Sequence, residues 1–391
     1  MKQGAKPIFV FPPIMMLALY LTVLGYMIPS IRETFSLTLA QAGLFSTVQS
    51  IGAVVSLILC FCVFSALNKT RVIGLGILFL GLSILLFGIN TFVFVLYALF
   101  FFIGLFSTTV DTLSNAIIAD LAPKTKSYHI GLLHALWAAT GVTGPFFAML
   151  LGSAYTPVFI GLGILTILVA ILFMAGLRNE ARAPFIQNMQ NMGAFKKLLA
   201  AFKTKGMPFF VIAKFFSSFT QMSFIFFLSS FAFTIRGQAF DGALVLSGLF
   251  IGNVIGRVCY AKFFSKMAAS RIMPPLNALS FAALVALLFS GDITLVCILA
   301  VIGGFGFAAN FPLLVVEACG LMPKDTSAAA SLVFFGSVAA SFAAPPIVGT
   351  IGDAAGLGTA LLVSAAMLIP VVIISATLRK TAVDADARCN E

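Results

Sequence analysis

Runs of about 20 apolar residues recur from one end of the chain to the other, separated by short stretches that carry most of its charges and polar clusters. Each run is long enough to cross a hydrocarbon core of about 30 Å as an α-helix. With the polar stretches as punctuation, the pattern predicts spans at roughly 8–30, 42–66, 71–90, 92–119, 129–152 and 156–177, then 207–235, 241–266, 271–290, 293–321, 326–352 and 356–379. The first run follows Lys2 and Lys6, lacks a small-residue cleavage pattern and is closed by Pro29 and Arg32. It reads as a spanning helix and not as a cleaved signal peptide.

One long polar interruption, Arg178 to Gly206, splits the twelve spans into two sets of six. Within it, residues 195–205 have the pattern of a basic amphipathic helix on a membrane face, and the plainer reading is a linker. The expected organisation is a first six-helix half over 1–177, a cytoplasmic linker over 178–206, a second half over 207–380 and a tail over 381–391.

Composition confirms the class and charge sets the orientation. The chain is 61% hydrophobic and 9% charged, with a mean hydropathy of +1.13, too little charge to cover the surface of a water-soluble protein of this length. The net charge of +11 raises the question of a nucleic-acid partner. With the amino terminus in the cytoplasm, nineteen of the lysines and arginines fall in cytoplasmic segments and two, Arg32 and Arg236, fall outside. This asymmetry places both termini inside and assigns the charge to cytoplasmic loops instead of nucleic acid. The six cysteines show no metal or redox spacing and read as packing residues.

A shift of 200 positions brings rare residues into register. Gly52 meets Gly252, Arg71 meets Arg271, Gly104 meets Gly304, Pro123-Lys124 meets Pro323-Lys324, and Pro145 meets Pro345. An even number of helices per repeat makes the halves parallel, related by an axis along the membrane normal. That is the arrangement of the major facilitator superfamily. Within it, Pro29…Phe35-Ser-Leu-Thr-Leu-Ala-Gln41-Ala-Gly43-Leu44…Gly52 resembles the first helix pair of the sugar permeases. Gly104…Asp111-Thr112-Leu-Ser-Asn115, Leu132-Leu-His134…Gly141…Gly144-Pro145 and Gly252…Gly256-Arg257 are similar to helices four, five and eight of the fucose permease branch. The resemblance implies an all-α membrane protein of twelve transmembrane helices, a substrate site near the midplane between the halves, and proton-coupled transport. Two positions depart from it. The loop between helices two and three reads Ser65-Ala-Leu-Asn68-Lys69-Thr-Arg71, without the aspartate of the superfamily's motif, and Gly25 stands where the fucose permease has an acid.

Polar residues within the spans are the candidates for function. A carboxylate at a helix centre costs about 2.5–3.5 kcal/mol on insertion scales, so Asp111 is expected to face a wet cavity or a partner. Thr108, Asp111 and Asn115 share one stripe at helical spacing. Asp111 is the candidate proton carrier and Asn115 a substrate ligand, with a structural acid as the alternative. His134 and Trp137 lie three apart on helix five, suited to a hydroxylated ring or to packing; Trp137 is the sole tryptophan. Tyr20, Gln49, Gln221 and Asn310 sit near the middles of their spans and either bind a polyol or bond helix to helix. Lys214, Arg257 and Glu317 are expected to form a structural or gating cluster, unless Lys214 snorkels to the interface. Gly248, Gly252 and Gly256 mark close helix packing.

These features predict a monomeric secondary transporter of the inner membrane, importing a sugar or similar small polar metabolite with protons, and needing no metal or cofactor. A proton-driven exporter is the rival: the 43 phenylalanines suit an apolar cavity, and Gly144-Pro145 is similar to part of the antiporter motif, whose later glycines are missing. A receptor or intramembrane enzyme is the third possibility; no His-Glu-x-x-His and no nucleophile with a base at helical spacing is present.

Overall fold

The computed structural model describes residues 7–64, 67–121, 126–152, 154–176, 201–264, 267–322 and 326–377. Among them, twelve helices are long and apolar enough to cross a membrane. In the first half these are α1 (Phe11–Phe35), α2 (Leu39–Cys62), α3 (Lys69–Ile89), α4 (Val93–Leu121), α5 (Lys126–Leu151) and α6 (Tyr155–Gly176). In the second they are α7 (Met207–Arg236), α8 (Ala239–Cys259), α9 (Ala269–Leu288), α10 (Ile293–Leu321), α11 (Thr326–Ala355) and α12 (Leu357–Thr377). Residues 178–200 of the expected linker over 178–206, the tail over 381–391 and the Pro123/Pro323 pair lie outside the described residues.

The chain divides into two compact units, Met1–Asn191 and Met192–Glu391. In the first, α1 packs on α5, α2 on α4, and α3 on both α4 and α6. In the second, α7 packs on α11, α8 on α10, and α9 on α10 and α12. The same pairing therefore recurs two hundred residues later, down to single contacts. A Cβ on Gly52 would strike the Phe101 carbonyl oxygen, and one on Gly252 the Val301 carbonyl oxygen. A Cβ on Gly104 would strike the Gln49 carbonyl oxygen, and one on Gly304 that of Leu249. In lipid, helices gain little from burying apolar surface, so such close backbone approach is what holds the pairs.

Aromatic rings close the end of the first unit at which α3 finishes and α6 begins. Phe87 of α3 sits edge-on to Phe159 of α6 at 4.4 Å, Phe45 of α2 stacks on Phe100 of α4 at 4.4 Å, and the Tyr155 hydroxyl donates to the Asn90 carbonyl at 2.7 Å. Large apolar side chains also cover the outside, Phe94 being 89% exposed, which suits a surface solvated by lipid.

Three helices depart from the expected spans, each for a local reason. α1 does not close at Pro29 and Arg32; it continues to Phe35, and Ser36 terminates it at φ 53° with its N–H turned back to Arg32 and Glu33. A proline removes one helical hydrogen bond, whereas ending the helix in hydrocarbon would strand several. α8 widens at its end into a π-helical turn, Tyr260–Phe264. α10 breaks at Ala308 and Ala309 into the segments Ile293–Phe307 and Asn310–Leu321. Pro312 has no N–H to give the Ala308 carbonyl, and α4, with Thr112 at the equivalent position, is unbroken.

Helix starts are capped by different means in the two units. Thr38 and Gln41 form a reciprocal capping box on α2. The Asn68 side chain accepts from the Arg71 N–H at 3.2 Å and caps α3. α9 has Ala268 at the matching position and no cap from its own sequence. There the Glu317 carboxylate, reaching from α10, accepts from the Ala269 N–H at 3.0 Å.

Candidate functional site

A cleft of about 150 Å³ opens in the first unit, walled by Leu17, Tyr20 and Leu21 of α1, Gln49 of α2, Ser107, Thr108 and Asp111 of α4, and Trp137 of α5. Glycine packing sets its shape. Gly104 brings α4 onto the Gln49 backbone, and Gly144 brings α5 onto Thr22 of α1, whose hydroxyl is folded back onto the Ala18 carbonyl at 3.0 Å. The four helices thus converge with little room for side chains at their crossings, and the polar groups between the crossings face one another.

The Tyr20 hydroxyl donates to Gln49 Oε1 at 3.4 Å, a long bond. Asp111 is half-buried, and its Oδ1 accepts from Asn115 Nδ2 at 3.1 Å. The same Nδ2 also donates to the Asp111 carbonyl at 2.9 Å, which ties Asn115 to the turn above it. One oxygen of the carboxylate is therefore oriented from within α4, while the side chain as a whole borders the cleft. Behind this wall, Ser56 of α2 and Thr109 of α4 share a buried hydrogen bond of 2.7 Å. The site presents one carboxylate, one phenol, one amide and two hydroxyls beside an indole, a set able to bond a polyhydroxylated molecule and to hold or release one proton.

Four of the expected site residues, Asp111, Gln49, Tyr20 and Trp137, are thus brought together. Asn115 lies one turn beyond, bonded to Asp111. His134, one turn before Trp137 on α5, is half-buried and is not part of the cleft wall. Gln221 is half-buried on α7 in the second unit. Asn310 is 1% exposed and held in a closed network: its Nδ2 donates to Ser217 Oγ and Asn277 Oδ1, both at 2.7 Å, and Asn277 Nδ2 donates to its Oδ1 at 2.9 Å. That geometry joins α7, α9 and α10 and follows the helix-bonding alternative.

Of the three charges of the second unit, Lys214 and Arg257 lie near enough to act on each other electrostatically, and each of the three has a contact of its own. Glu317 caps α9 as described, Arg257 Nε donates to Asn253 Oδ1 at 2.8 Å, and Lys214 Nζ lies 5.2 Å from the centre of the Phe311 ring. Leu17, Leu21 and Ser107 were not singled out from the sequence; the spacing of Leu17 and Leu21 from Tyr20, and the adjacency of Ser107 to Thr108, were the available signals. Among the described residues, no group of three or more metal-ligating side chains is clustered.

A family model described as Major Facilitator Superfamily matches residues 11–291. A bacterial homologue of the human lysosomal transporter Spinster, in an inward-facing and occupied conformation, superposes with a TM-score of 0.78 at 14% identity, over 97% of this chain and 98% of that one. The nucleoside transporter NupG superposes with a TM-score of 0.80 at 14% identity, over 94% and 97%. At these identities the likeness establishes the fold. No curated protein sequence matches the chain. These matches carry the superfamily and not the fucose permease branch.

Proposed function

The chain belongs to the Major Facilitator Superfamily, and from that membership and the cleft of its first unit we propose that it is a proton-coupled symporter for a sugar or similar small polar metabolite. The observation that carries the proposal is the convergence of Asp111, Tyr20, Gln49 and Trp137 on one cleft. Asp111 takes up the proton and becomes neutral. Asn115 holds its Oδ1 in place, while Tyr20 and Gln49 exchange their mutual hydrogen bond for bonds to substrate. Trp137 offers an indole face to the C–H face of a ring.

Loss of one charge inside the membrane supplies a few kcal/mol of bias between two states, the scale needed to let the loaded protein pass between inward- and outward-open forms. In this reading both termini face the cytoplasm, the protein sits in the inner membrane as a monomer, and Gln221 is a substrate ligand in its own unit. Leu17, Leu21 and Trp137 also give the cleft an apolar side, the feature that favours the rival reading of a drug or metabolite exporter.

Trp137 provides the test, because its emission reports directly on the cleft. Purified protein is titrated with neutral sugars, organic acids and hydrophobic cations, and Trp137→Phe supplies the background. A saturable change with a sugar or acid supports the symporter. A response to hydrophobic cations alone transfers the assignment to the exporter.

A further inference from the structure

We propose that the second unit carries an anion subsite built on Lys214, with Arg257 behind it, and that the transported molecule is a hydroxylated organic anion bearing a carboxylate or phosphate. This rests on the transporter reading above and narrows its substrate class.

Lys214 lies on the second turn of α7 and is 5% exposed. A snorkelling lysine sends its ammonium outward to the interface. Here Nζ instead lies over the Phe311 ring, on the break-proximal turn of α10. The internal repeat identifies that place. Gly304 meets Leu249 as Gly104 meets Gln49, so α8 and α10 keep the register of α2 and α4, and Phe311 stands where Asp111 stands in the first unit. Asp111 borders a cleft. The second unit therefore sets a cation at the position where the first sets a carboxylate.

A second positive charge reinforces it. Arg257 of α8 acts electrostatically on Lys214 with the same sign, and its Nε is anchored by the buried Asn253. Glu317, the acid of the same segment of α10, is turned to the start of α9. Among the described residues, no carboxylate lies within ion-pair distance of Lys214. Two like charges near each other, one buried and the other half-buried, repel each other, and an anion placed against them relieves the repulsion for both. A compact ammonium backed by a guanidinium suits the oxygens of a carboxylate or phosphate. Neutral sugars do not use this charge.

Matched probes decide the matter: gluconate and glycerol 3-phosphate against glucose and glycerol, added to the full chain in phosphatidylcholine nanodiscs. Binding is read by Trp137 emission and by thermal unfolding. At least one anion is expected to bind, its neutral partner is expected to bind more weakly, and Lys214→Gln is expected to weaken the anion about tenfold to a hundredfold. Lys214→Arg should recover part of that loss, which separates lost charge from lost folding. The proposal is overturned if neither anion stabilises the protein, or if the neutral partners bind as well as the anions. It is also overturned if Lys214→Gln, still folded by its unliganded melting curve, binds the anions unchanged. If added phosphatidylglycerol alone gives the Lys214-dependent stabilisation, a lipid headgroup occupies the place and the solute assignment fails. Transport is judged separately in proteoliposomes. Uptake of a neutral sugar unaffected by Lys214→Gln leaves the transporter standing without the subsite, and anion binding without uptake of any probe does the reverse.

Discussion

Asn277 and Asn310 bond to each other reciprocally across α9 and α10, and both are buried to within 1%. Two hundred residues earlier the same positions hold Ile77 and Val110, both fully buried. The first unit thus fills with hydrocarbon what the second fills with a pair of amides, and exchanging one for the other tests what the pair contributes. Asn310→Val alone strands Asn277 Oδ1 and one of its N–H groups; the Nδ2 bond to the Met273 carbonyl at 2.8 Å survives. Each stranded group costs about 1–3 kcal/mol in a protein interior, while measured interhelical bonds in bilayers average about 0.6 kcal/mol. A loss of about 2 kcal/mol is expected for either Asn310→Val or Asn277→Ile. The double variant removes both partners and copies the packing of the first unit. It should lie within about 1 kcal/mol of the parent, because Ser217, the remaining partner, can turn to its own helix backbone. Thermal unfolding followed with a thiol-reactive dye suits this region, since Cys259, Cys297 and Cys319 are half-buried in the second unit. If the double variant falls by the sum of the single losses, the amides are not a coupled pair and the network is misread.

Removing the Glu317 side chain with Glu317→Ala should destabilise the protein by about 0.5–2 kcal/mol, and Ala268→Asn, which imitates Asn68, should recover much of it in the same unfolding measurement. No recovery would mean that Glu317 acts through something other than the start of α9. Gly104→Ala drives a methyl group into the Gln49 carbonyl and should cost about 1–3 kcal/mol of stability while weakening cleft binding read by Trp137 emission. Gly304→Ala should match the stability loss with binding intact, and equal binding losses in the two would detach Gln49 from the site.

Much of this architecture was legible in the sequence because the membrane leaves few choices. An apolar run of sufficient length must be helical to satisfy its backbone, and the helices begin within a few residues of the expected positions. The repeat at 200 was visible in its glycines, and their contacts explain why they recur: Gly52, Gly104, Gly252 and Gly304 each meet a backbone carbonyl. What the pattern did not reveal is direction around a helix. Asp111 and Asn310 are both polar residues in mid-span, yet Asp111 borders a cleft whereas Asn310 is enclosed by Ser217 and Asn277. Glu317 looked like a partner for Lys214 or Arg257 because all three are charges in one region. The uncapped start of α9, an alanine where α3 has Asn68, is what draws it elsewhere.

Proton carriage by Asp111 can be measured in proteoliposomes loaded with purified protein and given the ligand selected by Trp137 emission. Accumulation driven by an acidic exterior is compared with counterflow at equal pH, for the parent and for Asp111→Asn. The amide imitates the neutral acid in size and polarity and can still bond Asn115. Asp111→Asn is expected to abolish accumulation and retain counterflow, with no rescue from the position of Gly25. Continued accumulation on the proton gradient by Asp111→Asn would contradict proton carriage by Asp111, since the proton would then travel by another group.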